Sequence, residues 1–580
     1  MRISSFFMRL RLAADALRAE GARAGPAGSQ TQVLLASAAV GVTVGLVVVV
    51  LETATLDWLA NPLADQPLWL RAAGPALGLV VAWGALTLLT ASAGLGAGQD
   101  DYVRSFHDRA DAEVSPSEVV GRTLASVGTI GYGGALGLDG PALYLGGAIG
   151  RTAQRRLAGL FSREDARMLL VVGGAAGFAA VFKTPAAGAL FAIEVPYRSD
   201  VARRVALPAM IGAVAGYITA ALIDGATPLF PMQGGNGFDA VDVVGAVLVG
   251  LVCGVGARGF CVVLAVVTER AAGVPAVLRL LAAGGALFGL AYLAEAVFDE
   301  PLSLGTGYDV IAWAADPVHS LWLVAGLLLV RLLAVLATVG GGGAGGLFIP
   351  LVVTGALVGR LVGGLPGLGE PELWLVVGMA AFAGAGYRTP FAAVAFVAET
   401  TGQPGFLVPA VVATAAAQLV MGPASVSRAQ RAGRRSRLER RGAVPISMVL
   451  ETDVLTVPPD ATIAEVTDHH LVGRRQHAVA VVDGERYCGL LSLDDVARVR
   501  PADRGSTTVG AVVKAESPTA QVTWLVRDAL RGMEEADSEM LAVVDSDDRF
   551  VGVVTTGAIA RLDEVLERTG EAPPGNSSDG

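Results

Sequence analysis

Two glycine-rich loops, each leading into a proline, are the residues with the clearest chemical potential. Gly137 and Gly140 come before Pro141, and the glycines at 345–346 come before Pro350. Proline suits the first turn of a helix because its missing N–H has no partner there. Each loop therefore predicts a helix start with free N–H groups and the positive end of the helix dipole, which binds an anion without a full charge. The alternative for one such loop alone is a packing turn between helices.

The composition indicates a membrane protein. The 580 residues are 53% hydrophobic and 17% charged, with a mean hydropathy of +0.57, whereas soluble domains are about 25% charged. Such a chain is too apolar to be disordered, to bind nucleic acid or to be an ordinary soluble enzyme. Its three cysteines exclude a disulfide framework and a cysteine-rich metal site. Two N-terminal helix ends meeting within a membrane would hold a small anion weakly enough to release it.

The net charge of −10 is distributed unevenly along the chain. After residue 441 there are 24 acidic and 12 basic residues, which gives −12, while the first 441 residues hold 29 acidic and 31 basic ones, which gives +2. The acidity therefore belongs to the tail. Lysine occurs only at Lys183 and Lys514, against 41 arginines. That bias indicates a GC-rich bacterial genome, and hence the plasma (inner) membrane of a bacterium.

The apolar stretches predict membrane-spanning helices, several of them broken. Residues 33–51 are almost entirely apolar and long enough to cross a bilayer. Further apolar stretches lie at about 74–90, 169–195, 205–223, 241–267, 276–298, 321–338, 347–363, 373–398 and 405–421. Several are too short to cross alone or are interrupted by Gly and Pro. Broken helices are tolerated in a membrane only where they line a cavity or pack on protein, so a simple bundle is excluded.

An internal repeat divides the membrane part into two related halves. Residues 182–194 and 387–399 share the order aromatic, basic, Thr-Pro, small residues, Phe and a terminal Glu, at an offset of 205. Residues 141–151 parallel 350–360 at an offset of 209. Two blocks in the same order at nearly the same spacing predict halves at about 70–220 and 280–425. Duplicated halves with broken helices favour a transporter or channel whose site lies between them.

Five segments follow from these patterns. We expect a cytoplasmic N-terminal segment at 1–30, a membrane domain at 31–427, an Arg-rich linker at 428–441, a soluble tail domain at 442–568 and a disordered end at 569–580. Seven arginines in the linker lie beside a membrane span, which indicates the cytoplasmic side.

The tail repeats one short plan of strand, helix, strand, turn and strand. Predicted strands are Ala478–Val482 and Gly489–Leu491 in the first unit and Met540–Val544 and Phe550–Val554 in the second. Asp460 is the predicted N-cap of the first unit's helix. This pattern resembles a pair of cystathionine-β-synthase (CBS) domains.

With these residues in place, the chain resembles the CLC family of chloride channels and proton-coupled chloride transporters. Residues 137–141, Gly-Leu-Asp-Gly-Pro, match the family's Gly-Lys/Arg-Glu-Gly-Pro loop, and 346–350, Gly-Leu-Phe-Ile-Pro, match its Gly-x-Phe-x-Pro loop. Residues 389–402 match its late helix ending in Glu-x-Thr-Gly. The resemblance implies an all-α polytopic membrane domain of two inverted repeats with broken helices, joined to a cytoplasmic α/β CBS pair. It also implies a homodimer with one anion pathway per subunit.

The resemblance also implies an anion pathway and a gate. The N–H groups of Leu347 and Phe348 are expected to coordinate the central anion, with Ile349 nearer the outer site. Asp139 stands where the family's gate glutamate competes with the anion and swings out on protonation; it is one methylene shorter, which shortens its reach. The alternative for Asp139 is an N-cap of the helix that starts at Pro141.

Three further positions depart from the family's pattern. Val195 occupies the place of the exchangers' internal proton glutamate and carries no proton, while Glu194 beside it is interpreted as structural. Ala97, followed by Gly98, replaces the anion-coordinating serine, and Ser427 replaces the inner-gate tyrosine. These changes predict weaker anion selectivity and a wider inner mouth. The polar residues at 99–101 are expected at the cytoplasmic mouth or on a surface turn.

The tail carries one candidate cofactor site. Family CBS pairs often bind adenine nucleotides through a Ser or Thr followed three residues later by Asp. Ser492 and Asp495 keep this pattern in the first unit, whereas the second has Thr555 and Ala558. An adenine nucleotide is therefore the one cofactor considered, and the alternative is a dimerisation module without ligand.

Together these features predict a passive channel for chloride or another small monovalent anion, gated by protonation of Asp139 and modulated by the CBS tail. The nearest alternative is a proton-coupled anion exchanger. A membrane sensor without transport stays open because side-chain ligands are eroded. A divalent-cation transporter would need clustered intramembrane carboxylates, and acidic residues are few in the apolar stretches. The expected partners are the anion, membrane lipid and a second copy of the chain, without nucleic acid or metal.

Overall fold

The computed structural model describes two compact units, 1–433 and 434–580. The described residues are 26–90, 98–108, 115–157, 167–232, 240–366, 368, 371–433, 444–452, 454–468, 478–513, 519–536, 538, 540–559 and 561. Ala97, most of the expected N-terminal segment, residues 434–441 of the expected linker and the expected disordered end lie outside them.

The described part of the first unit consists of helices joined by turns and loops. Its helices are α1 Pro26–Glu52, α2 Asn61–Ala64, α3 Leu68–Leu89, α4 Gly98–His107, α5 Pro116–Gly131, α6 Asp139–Arg156, α7 Met168–Phe182, α8 Pro185–Glu194, α9 Ala206–Asp224, α10 Ala240–Ala272, α11 Ala276–Phe298, α12 Tyr308–Ala315, α13 Leu321–Gly340, α14 Phe348–Gly363, α15 Pro371–Tyr387, α16 Pro390–Thr401 and α17 Leu407–Met421. A π-helix at Thr53–Ala60 follows α1, and 3-10 turns lie at Arg203–Val205 and Pro404–Phe406. Within the described ranges, six helical segments are long and apolar enough to cross a membrane, and the shorter apolar helices include α7, α8, α14, α16 and α17.

The predicted breaks occur at the same place in both halves. Helix α7 ends before Lys183, which has a φ of 57°, and α8 begins at Pro185. Helix α15 ends before Arg388, with a φ of 59°, and α16 begins at Pro390. A left-handed residue stops the first helix, and proline suits the first turn of the second. The apolar stretches 169–195 and 373–398 are therefore each two short helices.

The two halves meet around a local two-fold axis. Gly137 and Gly346, which are equivalent at the offset of 209, form an antiparallel bridge with N–H to O distances of 2.9 and 2.7 Å. A residue that pairs in this way with its own equivalent lies beside the axis that relates the halves. The same symmetry extends upstream: Thr129 accepts from the N–H of Ala344 at 3.0 Å, and Thr338 accepts from Ala135 at 3.2 Å.

Glycine lets the helices of each half approach closely. Gly146 on α6 faces Gly173 on α7, and a Cβ on either would overlap the main-chain carbonyl of the other. Gly355 on α14 and Gly378 on α15 repeat this contact in the second half. Small residues at helix contacts of this kind are how membrane helices gain packing without a hydrophobic driving force between them.

The described part of the second unit contains two three-stranded sheets of the same topology. The strands are β1 Thr456–Val457, β2 Ala478–Asp483, β3 Arg486–Ser492, β4 Thr519–Gln521, β5 Met540–Val544 and β6 Phe550–Thr555, and the helices are α18 Ile463–Val466, α19 Leu493–Ala497 and α20 Val526–Glu535, with 3-10 turns at Ile446–Met448 and Val509–Ala511. In each sheet the middle strand pairs in parallel with the first and antiparallel with the third.

One local prediction in the tail is wrong. The N-cap of α18 is Thr462, not Asp460. The Thr462 hydroxyl accepts from the N–H of Glu465 at 3.3 Å, and the Glu465 carboxylate accepts from the N–H of Thr462 at 3.1 Å. This reciprocal pair is a capping box, and the helix that it caps starts at Ile463.

Candidate anion site between two helix starts

The site is built where α6 and α14 begin. Asp139 is the first residue of α6 and Phe348 the first of α14, and the two positions are equivalent at the offset of 209. Asp139 is fully buried, and its Oδ2 accepts a hydrogen bond from the N–H of Phe348 at 3.0 Å. The N–H of Ile349 also faces this carboxylate. The carboxylate thus lies on two of the three N–H groups, those of Phe348 and Ile349, that the family resemblance assigns to an anion.

The geometry distinguishes two roles that the sequence left open for Asp139. The N-cap position of its own helix is Leu138, and no side chain caps that helix end. The carboxylate instead occupies the start of the opposite half's helix, where negative charge is favourable. The shorter side chain therefore reaches the second loop.

A second polar side chain holds the same carboxylate. Gln99, near the start of α4, is fully buried, and its Nε2 donates to Asp139 Oδ2. Gln99 Oε1 and Asp139 Oδ1 are both buried without a hydrogen-bond partner among the described residues. Sequence reasoning missed this contact and expected 99–101 at the mouth or on a surface turn. The surface turn is wrong, since all three residues are buried within a helix.

Glycine is required where three segments of the chain come together at the site. A Cβ on Gly346 would overlap the Asp139 carboxylate, and a Cβ on Gly137 would do the same. A Cβ on Gly140 would lie 2.8 Å from Gln99 Oε1 and 3.0 Å from the Cα of Gly346. Gly98 packs on the main chain of Gly140, and its N–H donates to the carbonyl of Gly345 at 3.3 Å. The loops are therefore close enough for bare N–H groups to share one ligand.

Tyr387 is a second residue that the sequence analysis did not single out. It is the last residue of α15 and is 1% exposed. Its hydroxyl faces the N–H of Leu347 without meeting hydrogen-bond geometry, and has no hydrogen-bond partner in the part of the chain that the structure describes. The signal available in the sequence was the repeat itself, because position 182 in the first half is Phe where position 387 is Tyr.

A serine lies beside a carboxyl at Ser427 and Asp100. Ser427 is 1% exposed and lies next to Asp100, which is itself buried. The next residue, Asp101, forms ion pairs with Arg122 at 2.7 Å and with Arg104 at 3.1 Å. Ala97 cannot be placed with them, as it falls outside the described residues.

Val195 and Glu194 have structural surroundings. The Val195 side chain is fully buried, and its carbonyl accepts from Gln430 Nε2 at 2.8 Å. The Glu194 carboxylate accepts from the N–H groups of Phe391 at 3.3 Å and Ala392 at 2.8 Å. These are the first N–H groups of α16, so Glu194 caps the helix of the other half.

The tail residues considered for a nucleotide bind each other. Ser492 Oγ donates to Asp495 Oδ2 at 2.6 Å, and the N–H of Asp495 donates to Ser492 Oγ at 3.2 Å. The pair forms a capping box at the start of α19. Thr555 is used similarly, since its hydroxyl accepts from the N–H of Ala558 at 3.0 Å.

Among the described residues, no three His, Cys, Asp or Glu side chains lie close enough to hold a metal ion. The site thus offers backbone N–H groups, one amide and hydroxyls as donors, a set suited to a small anion.

Comparison with known families decides the identity. The model of the family described as "Voltage gated chloride channel" matches residues 77–422, more than half of the chain and both helix starts of the site. The chain belongs to this family. Two CBS domains match at 446–502 and 509–564. It is a multi-pass membrane protein of the CLC family with CLC-type anion transport, and it is not an enzyme. The predicted fold class, a mostly helical membrane domain with an α/β CBS pair, is confirmed.

Two relatives of known description are both named as chloride channels. A voltage-gated ClC-type chloride channel ClcB of Salmonella dublin is 29% identical over 334 residues, covering 54% of this chain and 76% of that protein. A ClcB of Escherichia coli O17:K52:H18 is 27% identical over 379 residues, covering 61% and 86%.

Similar solved structures carry other descriptions. A slow cyanobacterial Cl⁻/H⁺ antiporter aligns with a TM-score of 0.58 and 22% identity, covering 67% of this chain and 94% of its own. A CLC-type fluoride/proton antiporter aligns with a TM-score of 0.57 and 21% identity, covering 70% and 99%. A eukaryotic CLC transporter aligns over 90% of this chain and 97% of its own, with a TM-score of 0.58 and 18% identity. At these identities the structures show the fold alone.

Proposed function

We propose that this CLC protein is a passive channel for chloride or another small monovalent anion, closed by the Asp139 carboxylate and opened when that carboxylate is protonated. The observation that carries the proposal is the hydrogen bond from the N–H of Phe348 to Asp139 at 3.0 Å. A carboxylate on an anion-binding N–H group is a built-in competitor for the anion. Protonation removes its charge and weakens its hold on that donor, so flux rises as pH falls.

The experiment is chloride efflux from liposomes at two pH values. Wild-type protein is expected to release chloride faster at pH 5 than at pH 8. Asp139→Ala is expected to release it quickly and equally at both, because no carboxylate competes with the anion. Asp139→Glu, which keeps the acid, is the matched control and retains a pH dependence. Chloride efflux that still depends on pH in Asp139→Ala would contradict the role of Asp139 as the gate.

Val195 supports a channel over a proton-coupled exchanger. The family resemblance places the exchangers' internal proton glutamate at this position, and here the side chain is apolar and fully buried. It cannot pass a proton from the cytoplasm to Asp139. The ClcB relatives, which are described as channels, agree with this choice.

One observation favours the exchanger as the second candidate. Asp100 is a buried carboxyl that follows Gln99, the residue whose amide donates to Asp139. Such a pair could receive protons without Val195, and the solved antiporters share this fold. Proton-driven chloride uptake into liposomes that is lost in Asp100→Asn would establish this alternative.

The setting of the channel is also a proposal. The family resemblance supports a homodimer with one pathway in each subunit, and the scarcity of lysine and the arginines at 428–441 support a bacterial plasma membrane with the CBS tail in the cytoplasm. Cross-linking of the reconstituted protein tests the dimer: bands at twice the monomer mass are expected, and monomers alone would contradict it.

A further inference from the structure

We propose that the hydroxyl of Tyr387 is a ligand of the transported anion, acting together with the N–H of Leu347 at a position next to Asp139. The inference rests on the proposed anion pathway and assigns it a side-chain donor from α15. This donor would stand in for the hydroxyls that the family resemblance places at 97 and 427.

The first support is the position of the hydroxyl. Tyr387 is 1% exposed, and its ring lies between aromatic neighbours, with ring centroids 5.5 Å from Phe191 and 6.4 Å from Phe348. Its carbonyl accepts from Gln430 Nε2 at 2.8 Å. Ring and main chain are both held, so the hydroxyl is fixed in place beside the N-terminal turn of α14.

The second support is that this donor has no acceptor in the described part of the chain. The buried hydroxyl makes no hydrogen bond there. Buried hydroxyls are nearly always hydrogen-bonded. The Tyr387 O–H and the Leu347 N–H are both donors, so one small anion bound between them would accept a hydrogen bond from each.

The third support is the comparison between the halves. Position 182 is equivalent to 387 at the offset of 205. It holds Phe in the same aromatic cluster, with its ring centroid 6.2 Å from that of Phe348. The ring alone therefore satisfies the packing of this position. The hydroxyl is an addition confined to the half whose loop supplies the anion-binding N–H groups.

The test is chloride binding to the purified full-length protein by isothermal titration calorimetry. Tyr387→Phe removes one oxygen and copies the residue found at 182. It is expected to weaken chloride binding about tenfold, the effect of losing one hydrogen bond to a charged ligand. Tyr102→Phe is the matched control. It also removes a buried hydroxyl, but one that donates to the carbonyl of Ala192 at 2.9 Å, so chloride affinity should stay unchanged.

Unchanged affinity in folded Tyr387→Phe protein would overturn the inference while leaving the transport proposal intact, provided that wild type binds and releases chloride. Wild type that neither binds nor transports chloride would overturn the transport proposal instead. If Tyr387→Phe does not fold, anomalous scattering from bromide in wild-type crystals locates the bound anion instead. A peak within hydrogen-bond reach of the Tyr387 hydroxyl is expected, and bromide bound to the loop away from that hydroxyl would contradict it.

Discussion

Glu194 and Glu399, equivalent residues at the ends of α8 and α16, each cap the start of the other's helix. Glu194 accepts from the N–H groups of Phe391 and Ala392, and Glu399 accepts from those of Ala186 and Ala187, both at 2.9 Å. Reciprocal capping requires the two helices to run in opposite directions. The duplicated halves are therefore inverted relative to each other at this contact, which the repeat in the sequence did not reveal.

These caps predict a stability effect of the glutamates. Glu194→Ala leaves two N–H groups of α16 without their acceptor and should cost about 1–3 kcal/mol of unfolding free energy. Glu194→Gln keeps one acceptor oxygen and should cost less. Thermal unfolding of the detergent-solubilised protein measures both, with Glu399→Ala as the symmetric counterpart. Loss of pH-dependent flux in Glu194→Gln would instead make Glu194 a proton carrier.

The Gln99 contact predicts an effect on gating. Gln99→Met keeps the shape of the side chain but removes the donor to Asp139, so the carboxylate is held less firmly on the loop. Chloride efflux at pH 8 should rise about tenfold, as expected for one lost hydrogen bond to a charged group. Gln154→Met is the control, since that buried amide accepts from the N–H of Leu169 at 2.7 Å, away from Asp139. An efflux rate in Gln99→Met equal to that of wild type would show that the Gln99 amide does not hold the Asp139 carboxylate.

The close approach of Gly346 to Asp139 predicts a suppressor pair. A methyl group in Gly346→Ala would occupy the space of the carboxylate, so we expect a lower thermal midpoint and efflux that depends less on pH. Adding Asp139→Ala removes the clash and should restore most of the midpoint. Gly84→Ala is the control, because a Cβ there meets no atom within 4 Å. If the double variant has the same thermal midpoint as Gly346→Ala, the overlap with the Asp139 carboxylate is not the cause of the instability.

In the CBS tail, the capping box predicts a structural role for Ser492. Ser492→Ala should lower the unfolding free energy by about 1 kcal/mol, and Thr462→Ala, which breaks the capping box of α18, should have a similar effect. We expect the loss in Ser492→Ala to be the same with and without ATP, since the hydroxyl is used within the protein. Stabilisation of wild type, but not of Ser492→Ala, by ATP would support the nucleotide site.

Features that recur in the chain could be predicted from the sequence. The helix starts at Asp139 and Phe348 and the breaks before Pro185 and Pro390 follow from Gly and Pro placement, which acts locally and occurs twice. The Gln99 contact could not be predicted, because it joins residues 40 positions apart through the packing of separate helices. The Tyr387 hydroxyl, which has no partner among the described residues, lies beside the start of a helix from another part of the repeat, and no local pattern encodes that placement.

The reversal potential of reconstituted protein tests the central claim most directly. Under a fixed chloride gradient, the potential at which net current vanishes is measured with and without a pH gradient. A passive channel carries only the anion, so we predict the chloride equilibrium potential in both conditions, with currents that grow as pH falls. A reversal potential that shifts with the pH gradient would contradict the channel and show that protons move with chloride.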